Sequence, residues 1–293
     1  MKARLIIFDA ETYQTFNPQI AAEIRQQALE KRPSSNTRKD LKDLWDTTEA
    51  RDTRAAEALA KTAVDPMLAE PLCVAYMSIG AGEADQEQPV QLVDMMGVAV
   101  TDPLVAQAAG LRTLAQAWDE LAGAETVWVG HNIIGFDLPL LYNAWLRNGI
   151  EPPTYFPEYT GKFWKGRVFD TMLRTPGKSD FVSLDSACAA MGVAASRECL
   201  WQGEVVDGSK VGAMYEAGAR DAIAAYCMED IAPVQRLYSR LTCGDRRNTY
   251  DHGGNLAEQL AEIRDAQGLS DAQRLVATYS VLEMSGLMRR AAA

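Results

Sequence analysis

Hydrophobic and polar positions along this chain change period several times, and each change marks an element. Leu5 to Phe8 is a run of four apolar residues bounded by Arg4 and Asp9, which predicts a short buried strand with Asp9 at its end. Leu72 to Ile79 and Val90 to Asp94 read as two further strands, separated by the acidic, glycine-containing turn Gly80 to Gln88 that suits a hairpin. Thr126 to Val129, just before Gly130, and Arg167 to Asp170 supply a fourth and a fifth. Between them the spacing turns helical: Leu114, Trp118 and Leu121 share one face, and Phe136 to Arg147 carries Leu140, Leu141, Trp145 and Leu146. Pro139 is tolerated in that second helix only within its first turn, so the helix starts close to Asp137. Ser183 to Met191, Ser209 to Ala217 and Asp221 to Leu241 follow as helices. The order β-β-β-α-β-α-β followed by helices predicts an α/β fold.

Two stretches do not belong to this pattern. From Asn17 to Ala63 the sequence is polar and helical, with Arg38, Lys39, Lys42, Glu49 and Arg51 among mixed charges, so residues 14–70 read as a largely helical insertion. Beyond Asp245, a turn-rich segment from Arg246 to Asn255 precedes two helical patterns, Leu256 to Ala266 and Asp271 to Met288. Residues 1–243 therefore read as the main domain and 244–293 as a C-terminal helical appendage. Pro233, inside the last helix of the main domain, lacks a backbone donor and is expected to kink it.

Composition narrows the class. Hydrophobic residues at 47% and charged residues at 24% are ordinary for a globular protein and unlike a disordered chain. The five cysteines, Cys73, Cys188, Cys199, Cys227 and Cys243, form no CxxC pair, which argues against a disulfide framework or a zinc site and for reduced, structural thiols. The first apolar run is too short for a signal peptide and no membrane-spanning stretch follows, so a cytoplasmic location is expected. A net charge of −11 disfavours tight, extended duplex binding, although metals in a small site can offset local carboxylates.

The candidate chemistry lies in carboxylates. Asp9 and Glu11 are two residues apart, so in extended backbone both point to one side, and the repulsion between them is relieved by a divalent cation. Hard oxygen ligands suit magnesium or manganese. Asn132 and Asp137 flank an apolar, glycine-containing turn from strand to helix, and Tyr226 and Asp230 are four apart on one helical face. His131 reads as a structural neighbour of the site rather than a base.

In this order, Asp9-x-Glu11, Asn132-x-x-x-Phe136-Asp137 and Tyr226-x-x-x-Asp230 resemble the three motifs of the DEDD superfamily of 3'-5' exonucleases, across most of residues 1–243. Ala225 stands where the histidine branch needs His, whereas Tyr226 fits the tyrosine branch. Val168-Phe-Asp-Thr171, Ser183-Leu-Asp185, Asp207-Gly-Ser209 and Tyr226-Cys227 are similar to predicted exonucleases related to the proofreading domain of family-B polymerases.

The resemblance implies a ribonuclease H-like fold, a five-stranded mixed sheet flanked by helices. It implies two divalent cations, Mg2+ or Mn2+: Asp9 bridging both, Glu11 and Asp230 completing one site, Asp137 supporting the other, and Tyr226 positioning the attacking water. Thr12, Asn132 and Phe136 become substrate contacts, and single-stranded DNA 3' ends the expected substrate, with RNA as the alternative. A catalytically silent nucleic-acid or partner-binding module of the same fold, and an esterase for small phosphodiesters, are the competing readings. A protein partner could dock through the C-terminal helices; a membrane partner is not expected. Tyr155, Phe156, Tyr159, Phe163 and Trp164, interleaved with Lys162, Lys165 and Arg167, form either a platform for a single strand or the packing of a long loop onto the core.

Overall fold

A computed structural model describes residues 3–35, 37–39, 44–80, 87–97, 102–160, 164–175, 181–195 and 199–249, with side chains as far as residue 242. Strand β1 (Ala3–Tyr13) pairs antiparallel with β2 (Glu70–Gly80), and β2 pairs antiparallel with β3 (Gln91–Asp94). On its other side β1 pairs in parallel with β4 (Val127–Gly130), which pairs in parallel with β7 (Arg167–Asp170). The result is a mixed sheet of five strands in the order β3-β2-β1-β4-β7. All five expected strands are present. The first is longer than expected, because Asp9 to Tyr13 stay extended against Ala75 to Glu70 although their pattern is not apolar. Two small hairpins, β5 (Glu158–Tyr159) with β6 (Trp164–Lys165) and β8 (Leu200–Trp201) with β9 (Glu204–Val205), were not anticipated; strands of two residues leave no periodic trace.

Helices α1 (Pro18–Glu30) and α2 (Thr48–Ala60) occupy the stretch between β1 and β2. The Asn17 side chain accepts from the Gln19 and Ile20 amides with Pro18 just inside, and the Thr47 hydroxyl accepts from Ala50 N–H, so both starts are capped as their sequences suggest. Then come α3 (Pro103–Leu121), α4 (Asp137–Arg147), α5 (Leu184–Ala190), α6 (Val211–Glu216) and α7 (Arg220–Thr249). Pro139 lies in the first turn of α4 as required, and α7 runs on through Pro233. Compactness divides the chain into residues 1–237 and 238–293. The helical patterns from Leu256 to Ala266 and from Asp271 to Met288, and most of the Gly80 to Gln88 turn, lie outside the described residues.

Alternation along β1 sorts its residues to two faces. Ile6, Phe8 and Ala10 enter the main core with Leu111, Leu114 and Trp118 of α3 and Leu141 and Trp145 of α4. Trp118 sits at the centre, its ring 5.1 Å from Phe8, 4.9 Å from Trp128 and 5.9 Å from Phe156, the last nearly parallel. Burying a side chain such as Phe8 contributes on the order of 1.5–3 kcal/mol, so this cluster anchors the strand that carries Asp9 and Glu11. Phe156 is therefore a core residue, and Trp164 packs on Tyr142 and Tyr159. Lys165 and Arg167 pair with Glu158 and Glu125. For these members of the aromatic stretch the loop-packing alternative holds, while Lys162 and Phe163 lie outside the described residues.

Among the described residues no helix is long and apolar enough to cross a membrane.

Candidate metal centre

Strands β4 and β7 end together, and β1 runs on past them. Ile7 pairs with Val129 and Gly130 with Asp170, so Asp9, the 131–136 turn and the chain after Asp170 emerge at the carboxyl end of the sheet, where open α/β sheets place their ligands. Asp9 and Glu11 project from the β1 face opposite the main core, toward α7. Their carboxylate oxygens and the Cys227 sulfur all lie within 4.8 Å of one another. The Cys227 thiol donates to the Asp9 carbonyl at 3.5 Å. Burial, then the neighbouring Cys73 thiol and the Asp9 and Glu11 charges, push the Cys227 thiol well above its ordinary range. The carboxylate oxygens of Asp9 and Glu11 are hard donors of the kind that suit a divalent cation such as magnesium or manganese.

Asp137 begins α4, with Phe136 at the cap position, and is 4% exposed. Its carboxyl interacts with the backbone amide of Ala10, the residue between Asp9 and Glu11. Burial pushes it up to about 8, the nearby Asp170 charge adding to the rise and backbone hydrogen bonds opposing it. Tyr226 and Asp230, one turn apart on α7, are buried together with Ile223 and Cys227, so the helix face that carries the third motif is the face turned inward. The close cluster thus contains Asp9 and Glu11; Asp137 joins through the amide between them, and Tyr226 adjoins Cys227 in sequence. Neither Asp137 nor Asp230 is within that cluster.

The turn before Asp137 owes its shape to Asp170. One Asp170 oxygen accepts from the amides of Asn132 at 2.9 Å, Met172 at 3.0 Å and Leu173 at 3.4 Å, and the other accepts from Ile134 at 3.0 Å. Asn132 is held at φ 62°, a left-handed conformation in which asparagine is among the more tolerant residues. A Cβ on Gly130 would collide with Ile133 and crowd the Phe8 carbonyl, so that glycine is required by close approach, while one on Gly135 would come within 2.6 Å of the Asn132 side-chain oxygen and force that side chain to move. His131 bridges Thr171 Oγ1 at 2.9 Å and the Val182 carbonyl at 2.7 Å, a structural role as expected. The Thr12 hydroxyl donates to the Ala63 carbonyl at 2.7 Å, tying the strand to the insertion, and Phe136 packs partly buried against the main core.

Sequence reasoning did not single out Asp170 or Cys227 as parts of this centre, although both stood in motifs it noted. An aspartate closing a buried strand is the signal that was available for Asp170. Asp170→Ala leaves the buried Met172 amide and three part-buried amides without their acceptor and is expected to destabilise the fold by on the order of 3 kcal/mol. The check is a urea melt: a midpoint that falls at constant slope supports this account, and an unmoved midpoint means the amides find other acceptors.

A family model described as predicted 3'-5' exonuclease related to the exonuclease domain of PolB matches residues 75–267. The match includes Asn132, Phe136, Asp137, Tyr226 and Asp230, whereas Asp9 and Glu11 precede it. No curated protein matches the chain. Among solved structures, E. coli exonuclease I in complex with a dT13 oligonucleotide is similar at 12% identity and a TM-score of 0.41, over 86% of this chain and 43% of that one. An ExoI/SSB-Ct complex gives 12% and 0.41 over 89% and 44%. A further exonuclease I structure gives 13% and 0.40 over 85% and 44%. The chain thus spans less than half the length of these structures.

Proposed function

The chain belongs to the family of predicted 3'-5' exonucleases related to the exonuclease domain of PolB, and on that premise we propose that it is a metal-dependent exonuclease that shortens single-stranded DNA from its 3' end. The observation that carries this reading is the convergence of Asp9 and Glu11 with the buried Asp137, whose carboxyl meets the amide between them.

The donor set fits hard divalent cations. Two carboxylates held within 4.8 Å repel each other, and their oxygens match Mg2+ or Mn2+. Asp9 with Glu11 and Asp230 would hold one cation, and Asp9 with Asp137 would hold the other. When bound, such cations lower the pKa of a water molecule and stabilise charge on the leaving 3' oxygen. The protein's own part is to fix this geometry: Asp170 sets the turn that presents Asp137, the main core holds β1 in place, and the Tyr226 hydroxyl orients the attacking water. Asn132 and Phe136 line the approach. Hydrolysis breaks the bond between phosphorus and the 3' oxygen and releases a nucleoside 5'-monophosphate.

Residues 1–243 would form the catalytic domain, 14–70 its insertion and 244–293 an appendage available to a protein partner. Its test is digestion of matched 5'-labelled single-stranded DNA and RNA by purified protein with magnesium or manganese. A ladder that shortens from the 3' end, stronger on DNA, is the expected result. Equal or better cleavage of RNA transfers the reading to an exoribonuclease, and an unchanged substrate in both lanes overturns catalysis in favour of a binding module.

A further inference from the structure

Strand β1 carries one more side chain on the face of Asp9 and Glu11. The register shift between Glu11 and Thr12 skips Leu72 of β2 and leaves β1 itself regularly extended, so positions 9, 11 and 13 share a side. Tyr13 follows Glu11 by about 7 Å along the strand, roughly two steps of a stacked nucleic-acid strand.

Tyr13 is not alone. Its ring centroid lies 4.6 Å from that of Tyr215 on α6 and 5.7 Å from that of Phe16, and Phe16 lies 5.9 Å from Tyr215. All three rings are half-buried, packed against one another yet partly open to solvent. The Tyr13 hydroxyl donates to Glu216 at 2.9 Å and accepts from Gln14 at 3.1 Å, which fixes the ring.

We infer that Tyr13, Phe16 and Tyr215 form a stacking shelf for the unpaired bases adjoining the phosphodiester held at Asp9 and Glu11. This rests on the exonuclease reading and adds how the strand is gripped. A protein of net charge −11 gains little from general attraction to phosphate, whereas stacking on aromatic rings requires no positive surface and tolerates any base. The occupant is a single strand, since a duplex keeps the faces of its bases covered. In the other aromatic stretch of the chain Phe156 belongs to the core and Tyr155 and Tyr159 are exposed, whereas this trio packs as a half-open group about Tyr13 of the strand that carries the carboxylates.

The test compares the wild type with a Phe16→Leu, Tyr215→Leu double variant, in which an apolar side chain is kept at each position and the ring faces are lost. Rates are measured on 5'-labelled oligothymidylate and on the same oligonucleotide with abasic residues at its 3' end, the arms of a double-mutant cycle. The variant is expected to lose about ten- to a hundredfold in kcat/KM on the base-bearing strand. Removing the bases should cost the wild type a similar factor and the variant almost nothing, so that the two enzymes agree within about twofold on the abasic strand. A variant as fast as the wild type on the base-bearing strand overturns the shelf. So does an equal loss on both strands, which would mean that the rings merely seat α6 on β1. A wild type that degrades neither strand refutes the exonuclease reading itself, and the shelf with it.

Discussion

Asp9→Asn is expected to lower metal-dependent cleavage of a labelled oligonucleotide by about a thousandfold or more, the rate equivalent of the several kcal/mol that bound cations supply to such a transition state. The same substitution should make the metal-free protein melt higher. Asp9 and Glu11 sit with their oxygens within 4.8 Å, and in the absence of a cation that closeness costs stability, which an amide at position 9 relieves. Activity and stability therefore move in opposite directions, an outcome that simple damage to the fold cannot imitate. Retention of full activity in a pure Asp9→Asn sample would remove Asp9 from the centre. A lowered melting temperature would mean that its carboxylate is structural.

The second large effect is a pH dependence centred on Asp137. Burial raises its carboxyl from an ordinary 3.8 to about 8 in the metal-free protein. The unfolded chain gives up this proton at the ordinary value, while the folded one keeps it until pH approaches 8, so across that interval the unfolded state binds fewer protons. The contribution of Asp137 to stability is complete below about pH 4 and is lost as pH rises toward 8. In chelator-treated samples the wild type should lose melting temperature steadily between about pH 5 and pH 8, and Asp137→Asn should lose less. Magnesium or manganese should restore the wild type at the upper end and leave the variant largely unmoved, because a cation favours the ionised carboxylate. Parallel pH profiles for the two proteins would show that Asp137 is not the group that titrates.

These expectations began in a sequence that displayed most of the framework. The apolar runs at Leu5 to Phe8, Leu72 to Ile79 and Thr126 to Val129 are each strands in the sheet, because burial on both faces leaves an unbroken hydrophobic signature. Continuation of β1 through Glu11 to Tyr13 was not visible, since what keeps those residues extended is a partner strand some sixty positions away. The approach of Cys73 and Cys227 was hidden for the same reason. The aromatic stretch around Phe156 illustrates the opposite problem: a ring buried under a loop and a ring offered to a ligand have identical local sequence, and Trp118, distant in the chain, decides between them. Asp170 was legible as the end of a strand but not as the acceptor that shapes the turn before Asp137, because its partners are backbone amides, which every residue but proline possesses.

Tyr13 and Glu70 are register partners, so the long excursion that begins after one returns directly to the other. Its two ends are already joined by the sheet, and lengthening or shortening a segment closed in this way changes its closure entropy by only about 0.6 kcal/mol per doubling. The excursion is thereby modular: its length can drift without disturbing the carboxylates two and four positions before Tyr13. Phe16, however, belongs to the first residues of that module. Variation in the excursion can thus revise the ground on which a strand rests while the chemistry beside it stays untouched, a separation of grip from cleavage that the pairing of two strand ends provides.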